Sequence, residues 1–348
     1  MSHGSTTKGE VTRRAQRWAR AYELSAAYRL HNRHFRRLGL LEAARLGLEY
    51  QFLPHYFGYP PAWRLLLRKL GGRRVLPDFA LVGTVKSGTS DIAVSLVQHP
   101  CVAGPLSKEF RSDHAESWRI FYPTVTEQEK LARRAGVARA GYFTPRLHEL
   151  RHIASFARAM PRAKIIISLR DPVERAFSHF KWEVLMSSKK AREQLDFLQD
   201  YGAFCAKALD FFPDYPMYSA CGYPFLTSGI YYKAVEVWTE YFGAENVLVL
   251  DAGQYFRDRQ AFLDRAWSFI GVPPFSAHAE ARAIVNENPL QFPPPDPATV
   301  RKLAAFYQPY NEKLFERLGQ RFDWQTPASP PAKPATPRKE DGKTQHPS

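Results

Sequence analysis

The chain has 348 residues, of which 45% are hydrophobic, and it carries a formal net charge of +15. This length allows one large α/β domain with extensions, and the three cysteines are too few for a disulfide scaffold. Residues 1–76 contain 15 Lys and Arg against 4 Asp and Glu, whereas the central region is nearly neutral. No zinc spacing, aromatic RNA-binding signature or recognition-helix pattern accompanies this charge, so we do not expect a nucleic-acid partner.

The basic segment 1–76 is predicted to be a helical extension. Apolar residues recur at helical spacing in two stripes, namely Ala15, Trp18, Ala19 and Tyr22 and then Leu41, Ala44, Leu48 and Phe52. Arginines beside Trp and Tyr suit an anionic membrane surface or an acidic glycan. The alternative is that these helices pack on the rest of the protein and leave a solvated basic face.

Residues 82–90 form a glycine-rich turn between the apolar strand predicted at 79–81 and a helix predicted to include 92–97. Such a turn points backbone N–H groups and a helix N-terminus at a phosphate-sized anion. The two glycines have the spacing of a Walker A loop, but Lys86 lies inside the loop and Thr89 takes the usual lysine position. The displaced lysine argues against Mg-triphosphate handling and favours a loop that grips a 5′-phosphate beside a leaving group.

A second anion site is predicted directly after residues 164–169, which have the pattern of a buried strand. Pro172 suits the first turn of a following helix. Arg170 at the end of the strand and Ser178 two helical turns later can converge on one anion, because a guanidinium and a hydroxyl both donate to phosphate oxygens. Two phosphate sites on two parallel strands fit a nucleotide that is phosphorylated at both ends.

Together these motifs resemble those of the sulfotransferases that use 3′-phosphoadenosine 5′-phosphosulfate (PAPS). The similarity is greater to the carbohydrate branch, which includes heparan-sulfate-type and bacterial enzymes, than to the phenol and steroid branch. Residues 83–90 resemble the family's 5′-phosphosulfate loop, and residues 169–178 resemble its 3′-phosphate motif. Lys108-Glu109-Phe110, the segment 228–231 before a predicted helix, a strand at 246–250 and a closing helix within 306–324 follow in the family's order.

The resemblance implies a P-loop-like three-layer α/β sandwich with a central parallel sheet. It covers residues 77–324, so residues 1–76 become an N-terminal helical extension. Residues 325–348 are rich in Pro and Lys and are predicted to be a disordered tail, since they cannot bury a core.

The resemblance also implies the roles of individual residues. Lys86 becomes a catalytic residue that neutralises charge on the sulfonate and the bridging oxygen, and no metal is required. The residues that hold the donor are Lys86, Ser87, Gly88, Thr89 and Ser90 around the 5′-phosphosulfate, Arg170 and Ser178 at the 3′-phosphate, and Tyr231.

Two residues are candidates for the base that takes the acceptor proton. Glu109 lies 23 residues after Lys86, where the carbohydrate branch has its catalytic glutamate. His114 is the rival, since imidazole titrates near physiological pH. We prefer Glu109, whose alternative role is an ion pair with Lys108 or Arg111.

Other histidines, His148 and His179 among them, are expected on the surface. Two features depart from the family pattern: Tyr142 stands where an acidic residue is common, and the late Gly/Lys-rich loop has no clear equivalent. Arg282 is a candidate substitute for that loop's lysine.

The expected activity is sulfuryl transfer from PAPS to a hydroxyl or amine of a carbohydrate or glycolipid. Two alternatives stay open: a nucleotide-dependent small-molecule kinase of similar fold, and a non-catalytic glycan- or membrane-binding protein on this scaffold. No stretch reaches the roughly 18 apolar residues of a membrane span. We therefore expect a cytoplasmic enzyme that can touch the inner membrane face through residues 1–76.

Overall fold

The structure is a computed structural model that describes residues 16–18, 20–21, 24, 39–57, 60–109, 115–150, 153–213, 222–277, 288 and 290–324. Its strands are β1 (His55–Phe57), β2 (Phe79–Leu81), β3 (Val102–Ala103), β4 (Ser107–Glu109), β5 (Arg139–Phe143), β6 (Lys164–Leu169) and β7 (Val247–Asp251). Its α-helices are α1 (Leu40–Phe52), α2 (Ala62–Lys69), α3 (Thr89–Leu96), α4 (Val125–Ala135), α5 (Ile153–Ala159), α6 (Pro172–Met186), α7 (Lys189–Gln194), α8 (Tyr201–Asp210), α9 (Tyr232–Phe242), α10 (Ala252–Arg257), α11 (Arg259–Phe269) and α12 (Pro297–Leu318). Short 3-10 helices span Ala115–Phe121, Asp196–Leu198, Thr227–Gly229 and Ala244–Asn246.

Five of these strands form a parallel sheet in the order β3-β5-β2-β6-β7. The register places Leu81 of β2 beside Ile166 of β6. Beyond β2 the backbone N–H of Thr84 still donates to the Ser168 carbonyl at 3.1 Å. Because parallel strands end at the same edge, the segments that follow β2 and β6 emerge side by side. This edge carries both predicted anion sites.

Helices cover both faces of the sheet. Alternate strand residues point to opposite faces, so Ala80 and Ile165 belong to an apolar cluster with α5, α9 and α12. Leu81 and Ile166 belong to a second cluster with α3 and α11. All four side chains are fully buried, and burial of one large aliphatic side chain stabilises a fold by about 1.5–3 kcal/mol. The predicted three-layer α/β sandwich with a central parallel sheet is confirmed.

Described parts of the N-terminal segment pack against this sandwich. Trp18 is 4% exposed, and its ring makes an edge contact with Phe143 at a centroid distance of 6.1 Å. Strand β1 pairs in parallel with β4, with His55 opposite Ser107. The guanidinium of Arg68 on α2 donates to the backbone carbonyls of Ile120 and Tyr122. Within the described residues no helix is both long and apolar enough to cross a bilayer.

Candidate active site

The turn after β2 has a strained backbone that is held in place by hydrogen bonds, one of them from β6. Lys86 has a φ of 69° and Gly88 a φ of 74°, a left-handed conformation that costs a residue other than glycine about 1–3 kcal/mol. The Ser87 hydroxyl donates to the Thr84 carbonyl at 2.7 Å, and the Ser168 hydroxyl donates to the Ser87 carbonyl at 3.3 Å. These bonds hold the turn on β6 and stabilise the strained lysine.

The turn leads directly into the N-terminus of α3. Gly88 is the N-cap residue and gives the helix no side-chain hydrogen bond, so the first amides of α3 point out of the helix without a cap. Thr89 and Ser90 follow and are 5% and 8% exposed. A Cβ atom on Gly83 would lie 2.6 Å from Thr89 Cγ2, so only glycine allows this close crossing. The glycine-rich turn and the helix start that the sequence predicts are both present.

The Lys86 side chain extends from this turn toward α6. Its Nζ lies 4.3 Å from the ring centroid of Trp182, which is a cation–π distance. Ser178 lies one turn before Trp182 on the same helix and is half-buried. Lys86 and Ser178 are therefore brought to the same side of α6. The sequence analysis did not single out Trp182.

Arg170 joins the two predicted anion sites. Its Nη1 donates to the Lys86 carbonyl at 3.5 Å, and its Nε donates to Glu174 at 3.1 Å. The Asp171 carboxyl caps α6 by accepting from the amides of Val173 and Glu174, and burial raises the pKa of Asp171 to about 6. The helix that carries Ser178 therefore starts at a fixed point beside the Lys86 turn.

Tyr231 supports this arrangement from the interior. It is 1% exposed, and its hydroxyl donates to the Arg170 carbonyl at 2.8 Å. Burial raises the pKa of Tyr231, so the phenol stays protonated and remains a donor. Its contact in this structure is with the backbone of Arg170, which makes it a positioning residue for the second anion site.

Phe256 on α10 is a further residue of the site that the sequence analysis missed. Its ring centroid lies 5.5 Å from the guanidinium carbon of Arg170. A Cβ atom on Gly88 would come within 2.9 Å of the same ring. The ring therefore lies against both the glycine-rich turn and Arg170, yet it is 54% exposed. The signal available in the sequence was its position just after β7, which ends at the same sheet edge as β6.

A buried polar ladder stabilises α6 behind Ser178. Arg175 donates through Nη1 to His179 Nδ1 at 2.9 Å, and the His179 Nε2–H donates to Glu183 at 3.1 Å. Burial lowers the pKa of His179 to about 4, in keeping with an Nδ1 atom that accepts from an arginine and so carries no proton. The prediction that His179 lies on the surface is wrong, because it is fully buried. The i, i+4 spacing of these three residues was the signal for a shared helix face.

Glu109 lies at the end of β4 in a close ion pair. Its Oε1 is 2.5 Å from Nζ of Lys108, and Lys108 is fully buried. Arg146 has an antiparallel bridge to Thr84, the residue two positions before Lys86. Burial acts to lower the pKa of Arg146, but nearby acidic groups, Glu109 among them, raise it overall. Arg146 pairs with Glu149 at 3.2 Å, whereas the ion pair with Lys108 that was expected as the alternative role of Glu109 is present.

The remaining predicted residues differ in what the structure says about them. His114 and Arg282 lie outside the described residues. Tyr142, which stands where the family often has an acidic residue, is buried against Trp118 at a centroid distance of 4.8 Å. Burial raises its pKa to about 12. Tyr142 therefore packs as part of the core rather than acting as an acid at this site.

Comparison with known proteins decides the family. A model of the sulfotransferase domain matches residues 76–293 of this chain. The chain belongs to the sulfotransferase family. The match includes both anion sites, Glu109 and Phe256.

Relatives of this sulfotransferase include larger proteins. It is 24% identical over 296 residues to the bifunctional heparan sulfate N-deacetylase/N-sulfotransferase 4 of Mus musculus, covering 70% of this chain and 30% of the relative. It is 23% identical over 303 residues to the heparan sulfate glucosamine 3-O-sulfotransferase 3A1 of Homo sapiens, covering 76% and 66%. The chain thus spans less than a third of the bifunctional relative.

A solved structure shares the fold. The sulfotransferase from Alicyclobacillus acidocaldarius aligns with a TM-score of 0.50 and 24% identity, over 72% of this chain and 99% of that one. This agreement supports the three-layer architecture and the placement of the central sheet.

Proposed function

We propose that this sulfotransferase moves a sulfuryl group from PAPS to a hydroxyl or amine of a carbohydrate or glycolipid. The observation that supports the proposal is the 3.5 Å contact between the Arg170 guanidinium and the Lys86 carbonyl, since it joins the two elements predicted to bind anions. A donor with phosphates on both sides of one ribose needs two adjacent anion sites. The names of the two relatives described above refer to heparan sulfate and glucosamine, and they support a carbohydrate acceptor.

In this proposal each anion site takes one end of the donor. The amides at the start of α3 and the hydroxyls of Thr89 and Ser90 hold the 5′-phosphate. Arg170 and Ser178 hold the 3′-phosphate, with Tyr231 fixing the Arg170 backbone. Charge-assisted hydrogen bonds of this kind are the stronger class in proteins.

Phe256 would then bind the nucleoside part of the donor. Its exposed ring lies against both the turn and Arg170, so it is available to the base of a nucleotide whose ribose carries phosphates at both elements. Aromatic rings stack on nucleobases with little dependence on which base is present. We therefore assign Phe256 to stacking and the specificity for a bisphosphate to Arg170 and Ser178.

The transfer itself is an in-line displacement at sulfur. The acceptor oxygen or nitrogen forms the new bond to sulfur while the bond from sulfur to the 5′-phosphate oxygen breaks, and the acceptor proton passes to the base. Lys86 leaves the ring of Trp182 to neutralise the negative charge on the departing phosphate oxygen. Preorganised positive charge is the main contribution a protein makes to such a transfer.

Glu109 is our preferred base, and its ion pair with Lys108 has a consequence for that role. The ion pair fixes the orientation of the carboxylate that would receive the acceptor proton. His114 stays the rival base.

The test is turnover with ³⁵S-labelled PAPS and fractionated glycans and glycolipids as acceptors. Lys86→Met should lower kcat by about 100- to 1,000-fold, the usual cost of one electrostatic donor to a transition state. Its Kd for adenosine 3′,5′-bisphosphate should change far less. Lys130→Ala, which removes an exposed lysine on α4, is the matched control and should behave as wild type.

Two results would refute the assignment. Near-normal turnover by Lys86→Met would exclude Lys86 from the chemistry. A larger thermal shift with ATP than with PAPS would favour the kinase alternative over sulfuryl transfer.

A further inference from the structure

Helix α2 turns its two arginines toward the protein. Arg64 Nη1 donates to the backbone carbonyls of Gln51 and Leu53 at 2.9 and 2.7 Å. Arg68, one turn later, donates to two backbone carbonyls beside the 3-10 helix Ala115–Phe121. A surface helix normally faces its apolar stripe inward and its charges outward. Much of that pattern is inverted in α2.

The opposite side of α2 is apolar and exposed. Trp63, Leu66, Leu67 and Leu70 follow one another at i, i+3, i+4 and i+7, and they are 44%, 61%, 59% and 78% exposed. This spacing places the four side chains on one face. The face therefore presents a continuous apolar stripe away from the core.

Helix α1 extends this stripe. The rings of Phe52 on α1 and Trp63 on α2 are 5.8 Å apart, and Leu48 lies one turn before Phe52 and is 64% exposed. We call Leu48, Phe52, Trp63, Leu66, Leu67 and Leu70 the outer face. Within the described residues, eight of the eleven exposed large hydrophobic side chains lie between residues 40 and 70. Such clustering marks an interaction surface rather than scattered exposure.

The charges around the outer face indicate its partner. Among the described residues 39–57 and 60–76, Arg45, Lys69 and Arg73 are exposed, against one exposed acidic residue, Glu42. A second copy of this chain would bring like charges together on such a face. An anionic bilayer offers both an apolar interior for the leucines and Trp63 and negative headgroups for the cations.

We propose that the outer face docks on an anionic phospholipid bilayer and that docking presents membrane-embedded glycolipids to the active site. The chain connection supports the second part: β1 lies between α1 and α2, and its Phe57 is paired in register with Glu109 of β4. The strand between the docking helices thus pairs with the strand that contains the candidate base. The glycolipid part rests on the proposed function, whereas the docking itself does not.

The docking test uses the full chain and two kinds of vesicle, phosphatidylcholine alone and phosphatidylcholine mixed with phosphatidylglycerol. Wild type should co-sediment with the mixed vesicles at low salt, release as salt rises, and bind the neutral vesicles weakly. The double variant L66E/L67E should lose at least about tenfold in affinity for the mixed vesicles, because two charges replace two inserted side chains. Lys69→Glu should weaken binding less and reduce its salt dependence.

Tyr241→Glu is the matched control, since Tyr241 on α9 is 49% exposed and lies outside the outer face. It should bind vesicles as wild type does. All variants should keep the wild-type thermal unfolding midpoint and the wild-type Kd for adenosine 3′,5′-bisphosphate. The docking proposal is overturned if wild type ignores both vesicles or if L66E/L67E binds as tightly as wild type. It is also overturned if wild type is a dimer that L66E/L67E converts to a monomer.

Vesicle binding and catalysis are separate readouts. L66E/L67E should raise KM for a glycolipid in mixed vesicles while leaving kcat on a water-soluble glycan acceptor unchanged. Vesicle binding without any sulfuryl transfer would leave the docking intact and refute the proposed function. Transfer to soluble glycans without vesicle binding would refute the docking and leave the proposed function intact.

Discussion

Replacing Arg170 is the most direct way to test the two-site arrangement. Arg170 is 24% exposed and its partner Glu174 is 42% exposed, and exposed ion pairs contribute only about 0–1 kcal/mol to stability. The further bond from Arg170 to the Lys86 carbonyl is long, at 3.5 Å. Arg170→Ala should therefore leave the free energy of unfolding almost unchanged. Any loss of affinity then reflects a lost contact with the ligand and not a less stable fold.

The expected loss in binding follows from the charge of the 3′-phosphate. A hydrogen bond to a charged group contributes about 1.5–3 kcal/mol, which corresponds to about 10- to 150-fold in Kd. Ser178→Ala should act in the same direction with a smaller effect, since a hydroxyl carries no net charge. Both losses should appear only for ligands that have the 3′-phosphate.

Calorimetry with adenosine 3′,5′-bisphosphate and adenosine 5′-monophosphate separates these effects. Wild type should prefer the bisphosphate, and Arg170→Ala should lose most of that preference while its affinity for the monophosphate changes little. Glu174→Gln is the matched control, because it removes the carboxylate that competes for Arg170 and should keep or tighten bisphosphate binding. Equal wild-type affinities for the two nucleotides, or an equal loss of both in Arg170→Ala, would refute the assignment.

Substitutions at four other positions test the remaining parts of the site and its support. Glu109→Gln should abolish turnover and keep donor binding, with His114→Ala the milder change; the reverse order in a turnover assay would make His114 the base. Phe256→Ala should weaken adenosine 3′,5′-bisphosphate by about 1–3 kcal/mol, the value of one stacked base, while Phe256→Trp retains affinity and pyrophosphate binding is unaffected in both. Trp18→Ala should lower the free energy of unfolding in urea by about 3–5 kcal/mol; an unchanged value would mean that the N-terminal segment does not support the core.

The secondary structure around the two predicted anion sites could be predicted because its signals are local. The pattern at residues 79–81 and the glycines that follow describe a strand, a turn and a helix start within one short stretch, and the structure has β2 and α3 there. Pro172 occupies the first turn of α6 as predicted. Each of these features depends on residues that are close together in the sequence, so a single sequence is enough to predict it.

Other features depend on how distant segments meet. Phe256 and Trp182 join the site only because the sheet order places β7 beside β6 and the Lys86 side chain turns toward α6. The pairing of β1 with β4 brings together residues about fifty positions apart, and neither three-residue strand has a strong pattern of its own. The closing helix begins at Pro297, earlier than the predicted segment 306–324, because Asp296 accepts from the amides of Ala298 and Thr299 and caps it.

The buried ladder on α6 makes stability depend on pH in a direction that can be derived. Folded His179 has a pKa of about 4, while an unfolded histidine titrates near about 6.5. Between these values the unfolded chain binds a proton that the folded chain does not, so the free energy of unfolding falls as pH drops from 6.5 to 4. At about 1.4 kcal/mol per pKa unit, the full loss from this one residue is on the order of 3 kcal/mol.

His179→Gln isolates this contribution, because an amide can accept from Arg175 and donate to Glu183 without titrating. The free energy of unfolding in urea, measured at a series of pH values, should fall less steeply between pH 6 and 4.5 in the variant than in wild type. The difference in slope should correspond to nearly one bound proton. Burial also lowers the pKa of His55 to about 4, so the variant should keep part of the wild-type slope, and His55→Gln should remove a further part. Identical slopes in wild type and His179→Gln would mean that protonated His179 is tolerated in the folded state, with the Glu183 carboxylate outweighing the effects of burial and of Arg175.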